Sequence, residues 1–520
     1  MSATEWFQAR LRSGEKSKVP VAPKDAAKSA PKNAPKPSAR STAERLQVTL
    51  RKADEALSPR ALRRVLADLQ AVIDSRVSEV EGGRRAHAIA DAYRAATAEE
   101  RRDYWALMSE HFAADAQKLK TARDQHQTAV GTPDEGHAEL RLRRALVSPR
   151  MRLLQRFAVE PEGMRFLVDL RADLLPSLKA DKRLMALDAE LEQLFSTWFD
   201  VAFLELRRID WDSPASLIEK LIRYEAVHDI KSWSDVKNRL DDSDRRCYGF
   251  FHPRLPNEPL IFVEVALVDR ISDGIAPLLD EAAVPVLPAR ATTAIFYSIS
   301  NTQNGLRGVS FGDSLIKRVV ETLQDELPRL KTFATLSPIP GFRTWLAKNA
   351  ADLLPRLDEK REAELGRLIG SLPPTAERLL AAVDAAATLD AKSPLRQWLM
   401  QAAAEYLGRA LVDGTPADPV ARFHLGNGAR VERLNWAGDP SPKGQKQSYG
   451  LMVNYLYDLK RLDKHRTWLA DGKVAVSGDI ESLFFKKAEI RKVQTRMPVQ
   501  EPVPDTPAAA SGGKIHNDRR

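Results

Sequence analysis

The chain has 520 residues, 43% of them hydrophobic and 29% charged, the profile of a globular protein with two or three domains. No apolar run reaches the length of a membrane span and the N-terminus has no secretory-type apolar stretch, so neither is expected. Cys247 is the sole cysteine, which excludes an intramolecular disulfide and any cysteine-built metal cluster and fits a reducing cytoplasm. The net charge of +9 resides at the ends: about +7 between Arg10 and Arg45 and about +4 between Lys486 and Arg520, leaving the body near −2. A nucleic-acid binder carries its positive charge on a folded face, so that class is set aside.

Residues 1–42 form a basic tail whose Lys/Ala/Pro-rich stretch (14–41) has too few large apolar side chains to offset its ordering entropy, and disorder is predicted there. The same holds for 491–520, where EPVPDTPAAASGG dominates. Ser41-Thr42-Ala43-Glu44 has capping-box spacing and predicts a helix start. Leu62, Val65, Leu66, Leu69, Val72 and Ile73 repeat at helical spacing. Further helices are predicted over 98–120, 137–157, 161–174 and 182–199, making 43–205 an all-α bundle without a catalytic motif.

The texture changes after about residue 245. Residues 260–267 (LIFVEVAL) and 292–300 (TTAIFYSIS) read as strands. Leu315, Ile316, Val319, Val320, Leu323 and Leu327 trace a helical stripe that stops at Pro328. Helix returns over about 343–411, and 450–457 (GLMVNYLY) reads as a late strand. The expected class is α+β and multidomain: a helical bundle, then a mixed α/β domain over 206–490 with a helical insertion.

Three stretches carry chemistry. Between the second strand and its helix lie Gly305, Gly308 and Gly312 with Arg307. A glycine loop ending at a helix N-terminus, capped by Asp313 or Ser314, is an anion cradle, because backbone N–H groups and the helix dipole face the ligand. It is neither a Walker loop nor a Rossmann fingerprint, and a plain structural turn remains an equal reading. In FATLSPIPGF, two prolines and a glycine fix a turn beside Ser337 and orient its hydroxyl, unless that serine merely stabilises the turn. In RFHLGNGA, His424 precedes Gly426 and Gly428, so its ring could be held in a loop facing a pocket, as a proton donor titrating near its usual value of about 6.5, although a satisfied core histidine is the default reading of one lone histidine. Asn454 and Tyr457 stand as polar support.

Taken together, 298–346 and 421–457 resemble the malonyl-CoA decarboxylase family. FATLSPIPGF with Trp345-Leu346, RFHLGNGA, NTQNGLRGV, LIKRVV and GLMVNYLY carry the resemblance. It implies a helical oligomerisation domain, with a tetramer suspected, and a GNAT-type catalytic domain. It implies that Arg307, Gly308, Val309, Ser310, Phe311, Gly312 and Asp313 hold the CoA moiety, although some relatives are acidic at Ser310. Ser337 and His424 match the family's catalytic pair. The implied reaction is loss of carbon dioxide from malonyl-CoA to give acetyl-CoA, with no metal or other cofactor and neither a nucleic-acid nor a membrane partner. An acyl-CoA-dependent N-acyltransferase would use the same loop, and a non-catalytic CoA-binding scaffold is the third reading.

Overall fold

The computed structural model describes residues 56–485, apart from 242, 310, 312–314 and 386–388. Both predicted tails, the helix start at Ser41, and the cap at Asp313 or Ser314 lie outside the described residues, as do Ser310 and Gly312.

Eight helices come first: α1 (Pro59–Val72), α2 (Glu79–Ala95), α3 (Ala98–His111), α4 (Ala116–Ala129), α5 (Glu135–Leu146), α6 (Pro149–Phe157), α7 (Gly163–Leu174) and α8 (Met185–Trp198). Local capping decides their boundaries. Thr97 and Glu100 form a reciprocal capping box at α3. The single helix predicted over 98–120 is two, because Asp115 caps a new start by accepting from the N–H groups of Gln117 and Lys118. Ser148-Pro149 likewise splits the segment predicted over 137–157.

A sheet of eight strands follows, in the order β1-β2-β3-β4-β5-β10-β6 with β9 pairing β10. The long central strands are β2 (Arg245–His252), β3 (Leu255–Val268) and β4 (Thr293–Asn301), flanked by β1 (Glu205–Ile209). Helices α9 (Ala215–Tyr224) and α10 (Trp233–Arg239) connect β1 to β2, and α11 (Leu315–Glu326) follows β4. Strand β5 (Thr332–Thr335) runs parallel to β4 from Thr293/Thr332 to Phe296/Thr335. There the strands part: β4 continues to Asn301, whereas Ser337 and Pro338 of β6 pair with Val453 and Met452 of β10 (Met452–Leu456). A register shift against β3 falls at the same level, leaving Tyr297 as an extra residue in β4.

The predicted helical insertion is present as four helices, α12 (Phe342–Leu353), α13 (Glu359–Ile369), α14 (Ala376–Ala385) and α15 (Pro394–Arg409). A two-stranded hairpin, β7 (Leu411–Val412) and β8 (Thr415–Pro416), leads to α16 (Pro419–Gly426), then β9 (Arg430–Asn435), α17 (Pro442–Ser448), β10, α18 (Leu462–Ala470) and α19 (Gly478–Leu483). A helical region followed by a mixed α/β sheet domain is the architecture expected from the sequence; the parting in the middle of the sheet was not predicted. One hydrophobic cluster runs from Leu62 in α1 through Phe166 and Phe250 to Tyr455, so helices and sheet share a core. Among the described residues no helix is long and apolar enough to cross a membrane.

Candidate active site

Ser337 lies where the sheet parts, but on the short strand β6 rather than in a free turn. Thr335 and Ser337 are two residues apart in extended chain and point to one side. The Ser337 hydroxyl donates to Thr335 Oγ1 at 2.8 Å, and the same oxygen accepts from the Tyr455 N–H at 3.1 Å.

His424 is not in a loop. Asp418-Pro419 starts α16, with the carboxylate accepting from the N–H groups of Val420 and Ala421 and proline at the first helical position. That helix carries His424 into the protein, 3% exposed, with Nε2 3.3 Å from Ser337 Oγ and Nδ1 2.8 Å from the Tyr457 hydroxyl. The ring stacks on Tyr455, centroids 4.7 Å apart and planes 27° from parallel. Because Ser337 donates to Thr335, its lone pairs face the imidazole, so Nε2 carries the proton and Nδ1 accepts from Tyr457. The result is a directed series of Tyr457, His424, Ser337 and Thr335, every member neutral.

Burial drives the His424 pKa down to about 3, which replaces the expected value near 6.5: removing an imidazolium from water is unfavourable and no carboxylate compensates. Burial also raises the Tyr457 phenol well above its ordinary value. The resting site therefore holds a neutral imidazole and a protonated phenol throughout the physiological range.

The two secondary candidates separate by strand alternation. Tyr455 and Tyr457 share one face of the β10 segment and meet His424, while Asn454 faces the other way. Its amide donates to the carbonyls of Ser272 (3.0 Å) and Thr335 (2.7 Å), and Oδ1 accepts from Asn435 at 2.8 Å. Asn454 thus fixes the backbone under Thr335 without reaching His424.

Asp418, which sequence reasoning passed over, ties the two halves of the site together. Besides capping the His424 helix, it accepts from the Gly341 N–H at 3.3 Å, in the turn after Ser337, and from the Tyr406 hydroxyl at 3.3 Å. A Cβ on Gly341 would lie 2.2 Å from that hydroxyl, so only glycine closes this junction. The readable signal was the Asp-Pro pair directly before an apolar helical turn.

The glycine loop leaves β4 beside the parting and leads into α11. Gly308 has φ +84°, a left-handed conformation with open space where a side chain would stand, and Arg307 projects into solvent. Val309 and Phe311 are buried and anchor the loop from below. Ile316 and Val320 of α11 line a narrow slot with Asn427, Tyr457 and Leu462. No cluster of three metal-ligating side chains occurs among the described residues.

Comparison with known proteins identifies the scaffold. The family model described as "Malonyl-CoA decarboxylase C-terminal domain" matches residues 202–495, and "Malonyl-CoA decarboxylase N-terminal domain" matches 112–199. The chain belongs to the malonyl-CoA decarboxylase family. It is 38% identical to the mitochondrial malonyl-CoA decarboxylase of Rattus norvegicus over 362 residues, 66% of this chain and 73% of the rat protein. The goose (Anser anser anser) counterpart, also named mitochondrial, is 39% identical over 331 residues, 61% of this chain and 66% of the relative. Crystal structures of malonyl-CoA decarboxylases from Rhodopseudomonas palustris and Cupriavidus metallidurans superpose with TM-scores of 0.70 and 0.67, at 41% and 45% identity. They cover 81% and 82% of this chain and 99% and 100% of theirs. As a member of the malonyl-CoA decarboxylase family, the protein is an enzyme of the carboxy-lyase class.

Proposed function

We propose that this decarboxylase converts malonyl-CoA to acetyl-CoA and carbon dioxide at the His424–Ser337 pair, with residues 307–313 holding the CoA phosphates. The observation that carries this reading is the buried, neutral series Tyr457–His424–Ser337 at the point where β4 and β5 part. The thioester carbonyl is itself the electron sink, so the protein must orient the carboxylate, stabilise an enolate oxygen and protonate a carbon. Ser337 turns its hydroxyl from Thr335 onto the malonyl carboxylate and orients it so that its C–C bond lies out of the thioester plane. As that bond breaks, its electron pair forms the enolate and carbon dioxide leaves. His424 then delivers its Nε2 proton to the carbon while Tyr457 passes its hydroxyl proton to Nδ1. After product departs, solvent delivers one proton to Nε2 and Nδ1 returns its proton to Tyr457, so each turnover consumes one proton. A neutral imidazole is an adequate acid here because a thioester enolate is a far stronger base than the tyrosinate left behind. We assign the enolate oxygen to backbone N–H groups where β4 and β5 part, a kind of donor worth about 3 kcal/mol.

Two further assignments belong to this reading. The α4–α5 hairpin buries only Ala122 and Ala138 of its own residues, while Val130, Leu140, Leu146 and Val147 stand exposed at its turn and end. We take 43–205 as the oligomerisation domain, 206–490 as the catalytic domain and a homotetramer as the assembly, which light scattering tests. We place the enzyme in the cytoplasm, with its one cysteine kept as a buried thiol, and cell fractionation tests that placement.

The deciding experiment follows acetyl-CoA by mass spectrometry from purified protein and malonyl-CoA. Product that disappears in His424→Asn and falls in Ser337→Ala is expected. Undiminished turnover in His424→Asn removes histidine from the mechanism, and intact malonyl-CoA with CoA bound turns the reading to an acyltransferase or a CoA-binding scaffold.

A further inference from the structure

The helical region meets the catalytic half in several places, among them Arg254 against the carbonyls of Ala158–Glu160 and Arg171 under the glycine loop. Arg171 of α7 is 2% exposed, held by Asp188 of α8 through Nε at 2.8 Å. Its Nη1 donates to the carbonyl of Gly305 at 2.8 Å and to that of Arg307 at 2.9 Å. In a trans peptide the carbonyl of one residue and the N–H of the next point in opposite directions. Capturing the Arg307 carbonyl from below therefore turns the Gly308 N–H outward, to the side where the Arg307 side chain meets solvent. No backbone partner for that N–H occurs among the described residues. The loop can lie this low because residue 305 is glycine: a Cβ there would sit 1.8 Å from the Val168 carbonyl oxygen of α7. Two more contacts fix its ends, Arg165 Nη1 donating to Gln303 Oε1 at 2.5 Å and the Val201 N–H donating to the Phe311 carbonyl at 2.9 Å.

We propose that Arg171 is a positioning residue for the acyl-CoA substrate, shaping the phosphate-facing side of the loop from the helical domain without touching the ligand. The proposal rests on the reading of 307–313 as the CoA loop. A buried guanidinium shared between two carbonyls is a strong, directional clamp. Lysine, with a single point of donation on a flexible stem, restores only part of it. The helical domain is then part of the substrate site as well as a surface for assembly.

The test compares malonyl-CoA with malonyl-pantetheine, which has the reacting thioester but no nucleotide phosphates. In Arg171→Met, losing hydrogen bonds from a charged donor is expected to raise KM for malonyl-CoA about tenfold to a hundredfold, with kcat little changed. Arg171→Lys should recover part of that loss, and kcat/KM for malonyl-pantetheine should match the unaltered enzyme in both variants. Should Arg171→Met fail to fold, Gly305→Ala displaces the same loop without removing a charge and should give the same substrate-selective defect. Equal losses with both substrates, or an unchanged KM for malonyl-CoA, would overturn the proposal. Arg307→Ala separates it from the reading beneath: if that variant does not discriminate between the substrates, the loop assignment fails. If it discriminates while the Arg171 and Gly305 variants do not, only the role of Arg171 falls.

Discussion

Two buried polar clusters contact the sheet, and they are built on opposite principles. Along the Tyr457–His424–Ser337 series every group is neutral, and both ring nitrogens have partners. Behind β3 and β4, Arg239 (1% exposed) instead pairs with Asp235 at 2.8 Å and with Glu264 (0% exposed) at 2.9 Å. Nearby, Glu264 Oε1 and the Tyr297 hydroxyl have no hydrogen-bond partner, and burial pushes the Cys247 thiol well above its ordinary value. Charged groups taken from water hold position strongly but respond badly to losing a partner. A neutral series can hand protons along without a fixed charge beside it, and in the proposed reaction the substrate's negative charge passes to Tyr457 until solvent supplies a proton. On the proposed mechanism, the ionic cluster belongs to the fold and the neutral one to the chemistry.

Arg239→Met tests that division with the largest expected effect on stability. Stranding the Asp235 charge and removing the donor that Glu264 Oε2 accepts from should cost about 3–5 kcal/mol, read as a lower denaturation midpoint, while folded protein keeps its kcat. A variant as stable as the parent would mean the ion pairs are dispensable. On the other side, His424→Asn should reduce turnover by about 10²–10⁴ with CoA still bound, measured at saturating malonyl-CoA. Tyr457→Phe deletes one hydroxyl from the same series. It should slow turnover about tenfold and leave KM unchanged, since a single neutral hydrogen bond is worth about 1–1.5 kcal/mol. If Tyr457→Phe is silent, Nδ1 needs no proton from it and solvent reloads His424 by another route.

The members of the neutral site, but nothing of the ionic cluster, were legible in the sequence. Ser337 and His424 stood out because glycines and prolines cluster beside polar residues, and the family's strings mark them. The alternation in β10 already separates Asn454 from Tyr455 and Tyr457, but the register that tells which face meets His424 is set by pairing with β6, a tertiary fact. Asp418 was hidden because its partners, Gly341 and Tyr406, are remote in sequence. The depressed pKa of His424 was equally unreadable, since desolvation depends on what surrounds a side chain. Helix splitting at Asp115 and at Ser148-Pro149 was legible in principle, and was missed by giving apolar spacing precedence over cap chemistry. Arg171 looked like one more helical arginine, because nothing local to it indicates that α7 lies under the glycine loop.

The remaining effects are in pH dependence, where the clusters pull in opposite directions. The imidazole of His424 takes up a proton near 6.5 when unfolded but only near about 3 when folded. Between these values the unfolded chain binds more protons, so this residue's contribution to stability is present above 6.5 and lost as pH falls toward 3. His228, held by burial at about 4, acts in the same direction. Glu264 behaves inversely: burial, then the like charge of Glu225, push it up to about 8 against the pull of Arg239. Folded protein keeps that proton where the unfolded chain has lost it, so the contribution is present below about 4.5 and lost as pH rises through 8. Denaturation midpoints across pH 4–9 should therefore show a shallower acid limb in His424→Asn and a shallower alkaline limb in Glu264→Gln, whose amide resembles the protonated acid. The same assignment requires kcat/KM to show no ionisation near 6.5 that belongs to His424, because kcat/KM reports the free enzyme. An inflection near 6.5 that vanishes in His424→Asn would mean that the imidazole is solvated before substrate binds, and the distinction between a neutral, dry series and an ionic cluster would dissolve.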